Sequence, residues 1–487
     1  MRHYVYILCL AFVVQIPTTM QAAEQQEIEQ IKTELLLLKK QYQEKLELLE
    51  KRIQQAEKQV KKAQISAQRA ENVARTAAAP KQTTAPTSNS DNSFNPAFSV
   101  IFSGVYAAYD EDPEEYRIPG MQLGGESGLA AEGFSVEHTE LVMSANIDDK
   151  FYAKLTYALA SEGSEVITEL EEAFMETTSL DDGMKVKLGR FYSDVGYLNS
   201  KHGHSWDFVD QPLVYRGMIG GNYSDDGVQF SWLAPTDLYT LVGAELMRGD
   251  SFPAGGINDD EFGVQTAYLK LGGDWGTDHS WLAGISFWRG DLEARMGGHA
   301  HGEESHEEVV HMDDEHAHGA AADSAVFSGD SDMTILELVY KWAPNGNPTD
   351  VNLQLQMEYF QRDEDGLVWL EETDPLEMTR YKTDQSGYYL QGVYQFMPQW
   401  RVGLRYDRLD IDTIMDGLAG VDEEVLEESG LEPEGNPDRW SLMLDWSNSE
   451  YSRFRVQYNR DNSFGITDNQ WYFQYIMSMG AHGAHTF

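Results

Sequence analysis

Met184 to Trp232 reads MKVKLGRFYSDVGYLNSKHGHSWDFVDQPLVYRGMIGGNYSDDGVQFSW. Both ends of this stretch, Met184 to Phe191 and Gly227 to Trp232, alternate apolar with polar or small residues. Alternation puts successive side chains on opposite faces of a strand. Between the two runs lies a long polar segment holding His202, His204, Trp206, Asp207, Asp210 and Pro212. Long loops inside compact domains are uncommon and usually functional. Two strands carrying a chemically rich loop are therefore the unit from which the rest of the chain is read.

The same alternation recurs across residues 97–487. It predicts sixteen strands, starting near Phe98, Val136, Phe151, Glu165, Met184, Gly227, Leu238, Gly263, Ser280, Asp332, Val351, Tyr388, Trp400, Arg439, Ser452 and Asn469. In one strand Val351, Leu353, Leu355, Met357 and Tyr359 share a face, and Asn352, Gln354, Gln356 and Glu358 share the other. In another, Phe454, Val456 and Tyr458 oppose Arg453, Arg455 and Gln457. The strand from Glu165 fits poorly, because Glu172 falls among Val166, Leu170 and Phe174. A soluble sandwich would bury the apolar face, whereas a membrane barrel turns it to lipid and lines water with the polar one.

Connection lengths choose between the two. Asp110–Ser135, Tyr192–Asp226, Gly249–Phe262, Gly290–Ser331, Gln361–Gly387 and Ile411–Asp438 are long, whereas Asp148–Lys150, Ala234–Asp237, Pro398–Gln399 and Ser447–Tyr451 are short. Short turns at one end and long loops at the other are the habit of bacterial barrels. An even number of strands leaves both barrel ends on the periplasmic side. The expected fold is an all-β transmembrane barrel of about 16 antiparallel strands, preceded by an α-helical coiled coil.

The amino end predicts export. Arg2, the apolar run Tyr4 to Ile16 and the small residues Ala22 and Ala23 form a signal peptide over residues 1–23. The single cysteine, Cys9, lies inside it, which excludes disulfides and thiolate metal sites from the mature chain. Residues 24–79 carry an apolar seam at Ile28, Ile31, Leu35, Leu38 and Tyr42, resuming at Leu46, Leu49, Ile53, Ala56 and Val60 and continuing as alanines to Ala77. Spacings of three and four mark a coiled coil, with a stutter between Leu38 and Leu49. Neither Gly nor Pro interrupts it. The Pro-, Ser-, Thr- and Asn-rich segment 80–96 reads as a flexible linker.

Composition narrows the function. A net charge of -45 argues against nucleic acid as a partner, since that binding needs a basic surface. The chain is rich in aromatic residues and glycine, with 25 Tyr, 20 Phe, 11 Trp and 42 Gly, and has no apolar run long enough for a membrane helix beyond the signal peptide. Among Ser, His and acidic residues no spacing matches a hydrolase motif, so no enzymatic activity is expected.

Lys187-Leu188-Gly189-Arg190-Phe191, Trp206-Asp207-Phe208 and Asp226-Gly227-Val228 resemble the outer-membrane porin family typified by the phosphate-selective porins O and P. The chain also looks like a His-rich subset labelled zinc-regulated, TonB-dependent outer-membrane receptors, which share a His-rich insertion and an N-terminal coiled coil. The resemblance implies a Gram-negative outer-membrane location, a homotrimer, and a loop after the fifth strand that folds into the lumen and narrows it. It also implies that the final aromatic, Phe487, is the mark read by the assembly machinery. Charge departs from the family. From residue 97 onward 23 Lys and Arg stand against 71 Asp and Glu, a balance of -48 that repels anions and concentrates cations. Phosphate is therefore not carried over.

Two metal-binding places follow. In the inward loop, His202 and His204 beside Asp207 and Asp210 combine imidazole with carboxylate, a set that suits Zn²⁺. Arg401, Arg405, Arg453 and Arg455, on lumen-facing positions, would oppose the loop's acids and complete a charged pore constriction. The second place is the tract HAHGEESHEEVVHMDDEHAH in the extracellular loop 290–331, with His299, His301, His306, His311, His316 and His318 interleaved with seven carboxylates. Such tracts bind metal at several exchanging sites. The expected function is a cation-favouring channel that gathers and admits zinc or a similar divalent ion. No cofactor is required, and the partners are outer-membrane lipid and the metal ion. A TonB-dependent zinc receptor and an envelope-tethering barrel with a metal-buffering loop are the alternatives; they would add a periplasmic energy-coupling protein or peptidoglycan as partners.

Overall fold

A computed structural model describes residues 96–124, 127–162, 165–255, 262–296, 325–370, 378–416, 431, 435–463 and 465–480. The segments expected to form a signal peptide, a coiled coil and, up to residue 95, a linker lie outside the described residues, as do the histidine tract and Phe487.

The alternating runs become seventeen strands: β1 (Ala97–Ala108), β2 (Gly133–Val136), β3 (Thr139–Asn146), β4 (Phe151–Glu162), β5 (Glu165–Thr177), β6 (Met184–Tyr192), β7 (Ser224–Leu233), β8 (Tyr239–Met247), β9 (Val264–Trp275), β10 (His279–Met296), β11 (Ala325–Trp342), β12 (Asn352–Leu370), β13 (Met378–Met397), β14 (Trp400–Asp416), β15 (Asp438–Ser449), β16 (Ser452–Asp461) and β17 (Asp468–Gly480). From β3 onward each strand pairs antiparallel with the next, and β17 returns to pair with β1 from Ser99 opposite Gly480 to Ala108 opposite Trp471. Both β2 and β3 lie against β1, so they are one barrel strand broken at Glu137 and His138. The result is a closed barrel of sixteen strand positions. Closure matters physically because it leaves no edge with unpaired N–H and C=O groups.

Period two sorts the side chains as expected. Leu355, Met357, Phe454 and Val456 point outward and are exposed, while Gln356, Glu358, Arg455 and Gln457 point inward and are buried. The outer surface is apolar on neighbouring strands too, with Leu336, Leu338, Leu390, Leu404, Leu442 and Leu444 exposed. Aromatic rings bracket this band. Near the short-turn end Trp400, Trp446, Phe454 and Tyr475 stack in a row with centroid separations of 6.0, 5.9 and 4.5 Å. Further up, Tyr406 meets Trp440 at 4.6 Å and Tyr458 meets Trp471 at 4.9 Å. Trp440 and Trp446 on β15 are separated by roughly 20 Å of strand at about 3.4 Å per residue.

The sheet is taller than the sequence reading allows. Part of the loop expected at 290–331 is strand, because β10 runs on to Met296 and β11 begins at Ala325. Likewise β13 begins at Met378, before the expected Tyr388. In this upper part the alternation continues with charge on the outside: Asp363, Asp365, Arg380 and Lys382 are exposed, while Arg362, Glu364 and Tyr381 are buried inside. A charged outer face hides a strand from a reading keyed to apolar residues.

Two bulges distort one wall. Opposite Thr156 and Tyr157 of β4, β5 offers Glu172 and Leu170, leaving Glu171 as an extra residue. This explains the misfit at Glu172: Leu170 lies across from the exposed Tyr157, whereas Glu171 and Glu172 are both buried. At the β2–β3 break one extra residue likewise fits between the pairs Gly104–Val136 and Ile101–Glu140, and His138 takes φ 45°. Bulges re-aim side chains in this way.

Gly189 holds this wall to its neighbour. It has φ +121°, and a Cβ there would lie 2.2 Å from the Ala173 carbonyl oxygen. Gly189→Ala should therefore destabilise the barrel by roughly 1–3 kcal/mol, seen as a lower urea midpoint with an unchanged slope.

Candidate functional site

The segment after β6 turns inward as a unit. Its two ends are pinned together, with the Ser193 N–H donating to the Tyr223 carbonyl at 3.0 Å. Asn199 bridges both ends through its side-chain amide, to the carbonyls of Ser193 (2.8 Å) and Tyr223 (3.0 Å), and accepts from the Tyr223 N–H at 2.7 Å. Beyond Pro212 a single helix, α1 (Leu213–Met218), has all six residues buried. Proline fits here because its missing N–H costs nothing at a helix start. The Leu213 N–H donates to Asp407 at 3.1 Å, and Arg362 donates to the Met218 carbonyl at 3.1 Å. Leu213, Val214, Tyr215, Met218 and Ile219 join inward residues such as Ile335, Phe360, Tyr389 and Leu409 in one apolar cluster. Each such side chain contributes about 1.5–3 kcal/mol when fully buried. The barrel interior around α1 is thus packed with side chains.

On one side of the loop the acids meet arginines. Asp210 accepts from Arg405 (2.7 Å), Arg439 (2.9 Å), Gln457 (2.6 Å) and Asn459 (2.8 Å), two donors on each oxygen. Asp207 accepts from Arg401 at 2.8 Å, and Arg401 also binds Asp445. Arg453 and Arg455 donate to the Trp206 carbonyl at 3.3 and 2.7 Å. Phe208 is buried between Val393 and Met443, with the Arg405 guanidinium 4.6 Å from its ring centre. All six residues expected at a constriction are therefore brought together, and they form direct ion pairs and hydrogen bonds.

On the other side the histidines leave those aspartates and reach the bulged wall. His202 Nδ1 lies 3.1 Å from Glu171 and 3.4 Å from Glu140 Oε2, and its Nε2 lies 2.8 Å from Glu172 Oε2. His204 Nδ1 lies 2.7 Å from Glu140 Oε1. Glu172 is held by Lys154 and by the Thr156 hydroxyl at 3.3 Å. Burial works against charge on His202, yet Glu140, Glu171 and Glu172 push its pKa up to about 10. The site thus attracts positive charge strongly. Donor atoms of Glu140, Glu171 and His202 all lie within 4.8 Å of one another, which makes them the described residues able to hold a metal ion. The expected ligand set is thereby divided: His202 and His204 gain three glutamates, while Asp207 and Asp210 are consumed by arginine. The six histidines of the tract, His299 to His318, lie outside the described residues.

No family model matches the chain. An uncharacterized protein of Aquifex aeolicus strain VF5 is 30% identical over 427 residues, covering 82% of this chain and 81% of that one. The chain belongs to that protein's family. Among solved structures, a loop-L8 deletion mutant of the outer membrane protein OmpT of Vibrio cholerae aligns with a TM-score of 0.47 and 11% identity, covering 80% of this chain and 100% of that chain. OprB of Pseudomonas putida aligns at 0.45 and 12%, covering 79% and 94%. The outer membrane channel DcaP of Acinetobacter baumannii aligns at 0.44 and 14%, covering 79% and 96%.

Sequence reasoning missed Glu140, Glu171, Glu172, Lys154, Arg216 and Arg439. Arg439 was accessible, because Trp440, Leu442 and Leu444 mark the outer face of β15 and leave Arg439 inside. The glutamates were not, because strict alternation cannot place two adjacent acids on one side.

Asp210 yields a prediction with a defined sign. Burial alone would raise its pKa, but Arg439, Arg405 and Arg216 hold it well below the usual carboxylate range. A lowered native pKa contributes stability that is present above the unfolded value of about 4 and is lost as pH falls below it. Asp210→Ala should cost roughly 3–5 kcal/mol at pH 7, because it strands buried arginines. The gap between parent and variant urea midpoints should stay constant from pH 7 to about 5 and shrink below about 4.

Proposed function

We propose that this chain is a porin-like barrel of the Gram-negative outer membrane that favours cations and admits zinc or a similar divalent metal ion, assembled as a homotrimer. The apolar outer band between aromatic rows is the surface a bilayer requires of such a barrel. The observation that carries the metal half of this reading is the inward cluster of Glu140, Glu171, Glu172, His202 and His204. Carboxylate with imidazole suits borderline divalent cations and offers nothing to an anion. The excess of acid over base from residue 97 onward acts in the same direction. In this reading the histidine tract gathers metal outside the cell and the interior cluster receives it.

A second reading has its own support. The packed interior around α1 favours a barrel that conducts little and serves to tether the envelope while its histidine tract buffers metal. Conductance separates the two. In planar bilayers the first reading expects steps whose reversal potential under a KCl gradient has the cation sign; a silent barrel, or an anion sign, would overturn it. Deleting Gly297–Gly319 should remove the low-affinity zinc sites while leaving the conductance steps in place. Calorimetric zinc uptake unchanged by that deletion would refute the gathering role of the tract.

A further inference from the structure

The geometry points to a defined three-residue metal centre inside the barrel, with Glu140, Glu171 and the Nδ1 of His202 as ligands and Glu172 as the positioning residue that orients the imidazole. It deepens the proposed function and rests on that reading only for the ion's role as cargo; the binding claim stands on the atoms alone.

Three observations assign these roles. First, Glu140 is 1% exposed, and its Oε2 makes no hydrogen bond. A buried carboxylate oxygen without a donor is costly. That oxygen faces His202 Nδ1 at 3.4 Å, beside Glu171 Oε2, which lies 3.1 Å from the same nitrogen. Both carboxylates thus converge on one edge of one imidazole. Second, the opposite edge is already taken. His202 Nε2 meets Glu172 at 2.8 Å, and Glu172 is fixed by Lys154 and Thr156. A ligating histidine commonly gives its second ring nitrogen to a carboxylate, which fixes the ring and the tautomer. Third, the other oxygen of Glu140 is occupied by His204 at 2.7 Å, so this carboxylate too is oriented by a partner. Glu140 and His202 are thus each oriented from behind by a second partner, as a built site requires.

The β5 bulge explains how the site exists. It turns Glu171 and Glu172 to the same side, one for the metal and one for the histidine. A cavity of about 90 Å³ lies beside the cluster, lined by His138, His204, Gly203 and Asp210 among others. A space of this size has room for several waters. Two carboxylates and one imidazole with open positions suit a borderline divalent ion such as zinc and disfavour calcium, which takes oxygen ligands.

Zinc-soaked crystals of the full chain, with anomalous diffraction at the zinc edge, locate the ion. A peak bounded by Glu140, Glu171 and His202 is expected; peaks confined to other places would overturn the assignment. Calorimetry of the intact chain should then show one site lost in Glu140→Gln and in Glu171→Gln, and weakened about 10–100-fold in Glu172→Gln. Cobalt provides the readout that a merely structural role would not move. Its visible absorption should change shape in Glu172→Gln and vanish at this site in Glu171→Gln, whereas an unaltered spectrum in Glu172→Gln would refute the positioning role. Calcium binding as tight as zinc would exclude His202 as a ligand. A barrel that binds zinc here but passes no cations refutes the channel and leaves the centre intact; a cation-selective barrel without zinc at this place does the reverse.

Discussion

A single carboxylate organises the inside of this barrel. Asp210 receives four donors from β14, β15 and β16, so its charge and all of its hydrogen-bonding capacity are used within the protein. Burying an ion is expensive unless the pairing is complete. Here completeness has a structural effect: only one placement of the loop brings Asp210 to Arg405 and Arg439 together. The apolar residues of α1 then fall against Ile335, Phe360 and Leu409. Hydrophobic burial supplies much of the driving force for filling the interior, but it is tolerant of position. The ion pairs are not, and they fix which way the loop lies and therefore where His202 and His204 end up.

Most of the barrel was legible because lipid-type surfaces impose period two. Wherever one face is apolar, as in Leu442 and Leu444 of β15 or Leu355 and Met357 of β12, strand and orientation follow directly. Legibility ends where the outer face turns charged, as at Asp363, Asp365, Arg380 and Lys382, because the apolar signal then disappears although the hydrogen-bonded sheet continues. It also ends at the bulges. An extra residue reverses the phase of everything beyond it, and Glu171 with Glu172 is the place where that reversal creates chemistry.

The interior site was half legible. Residue types pointed to the loop, and the structure places His202 and His204 beside glutamates and Asp207 and Asp210 beside arginines. The partnership was not readable, since which acid faces which base depends on strands from 30 to 249 residues away. Asp207 and Asp210 look like companions of His202 in the chain, yet their neighbours in space are Arg401 and Arg405. Charge complementarity across the barrel outweighs proximity along the sequence. The two walls end up with different characters, a guanidinium ladder on β14 to β16 and a carboxylate patch on β3 to β5, and the loop supplies each with its counterpart.

The pinned neck of that loop has a consequence for modularity. Ser193 and Tyr223 sit side by side at the tops of two neighbouring strands, tied by Asn199. The wall of the barrel therefore closes without help from the 29 residues between them, which enter and leave through one narrow stem. Such a segment behaves as a cassette. Evolution, or an engineer, can exchange its contents for another set of side chains and give the same cylinder a different cargo.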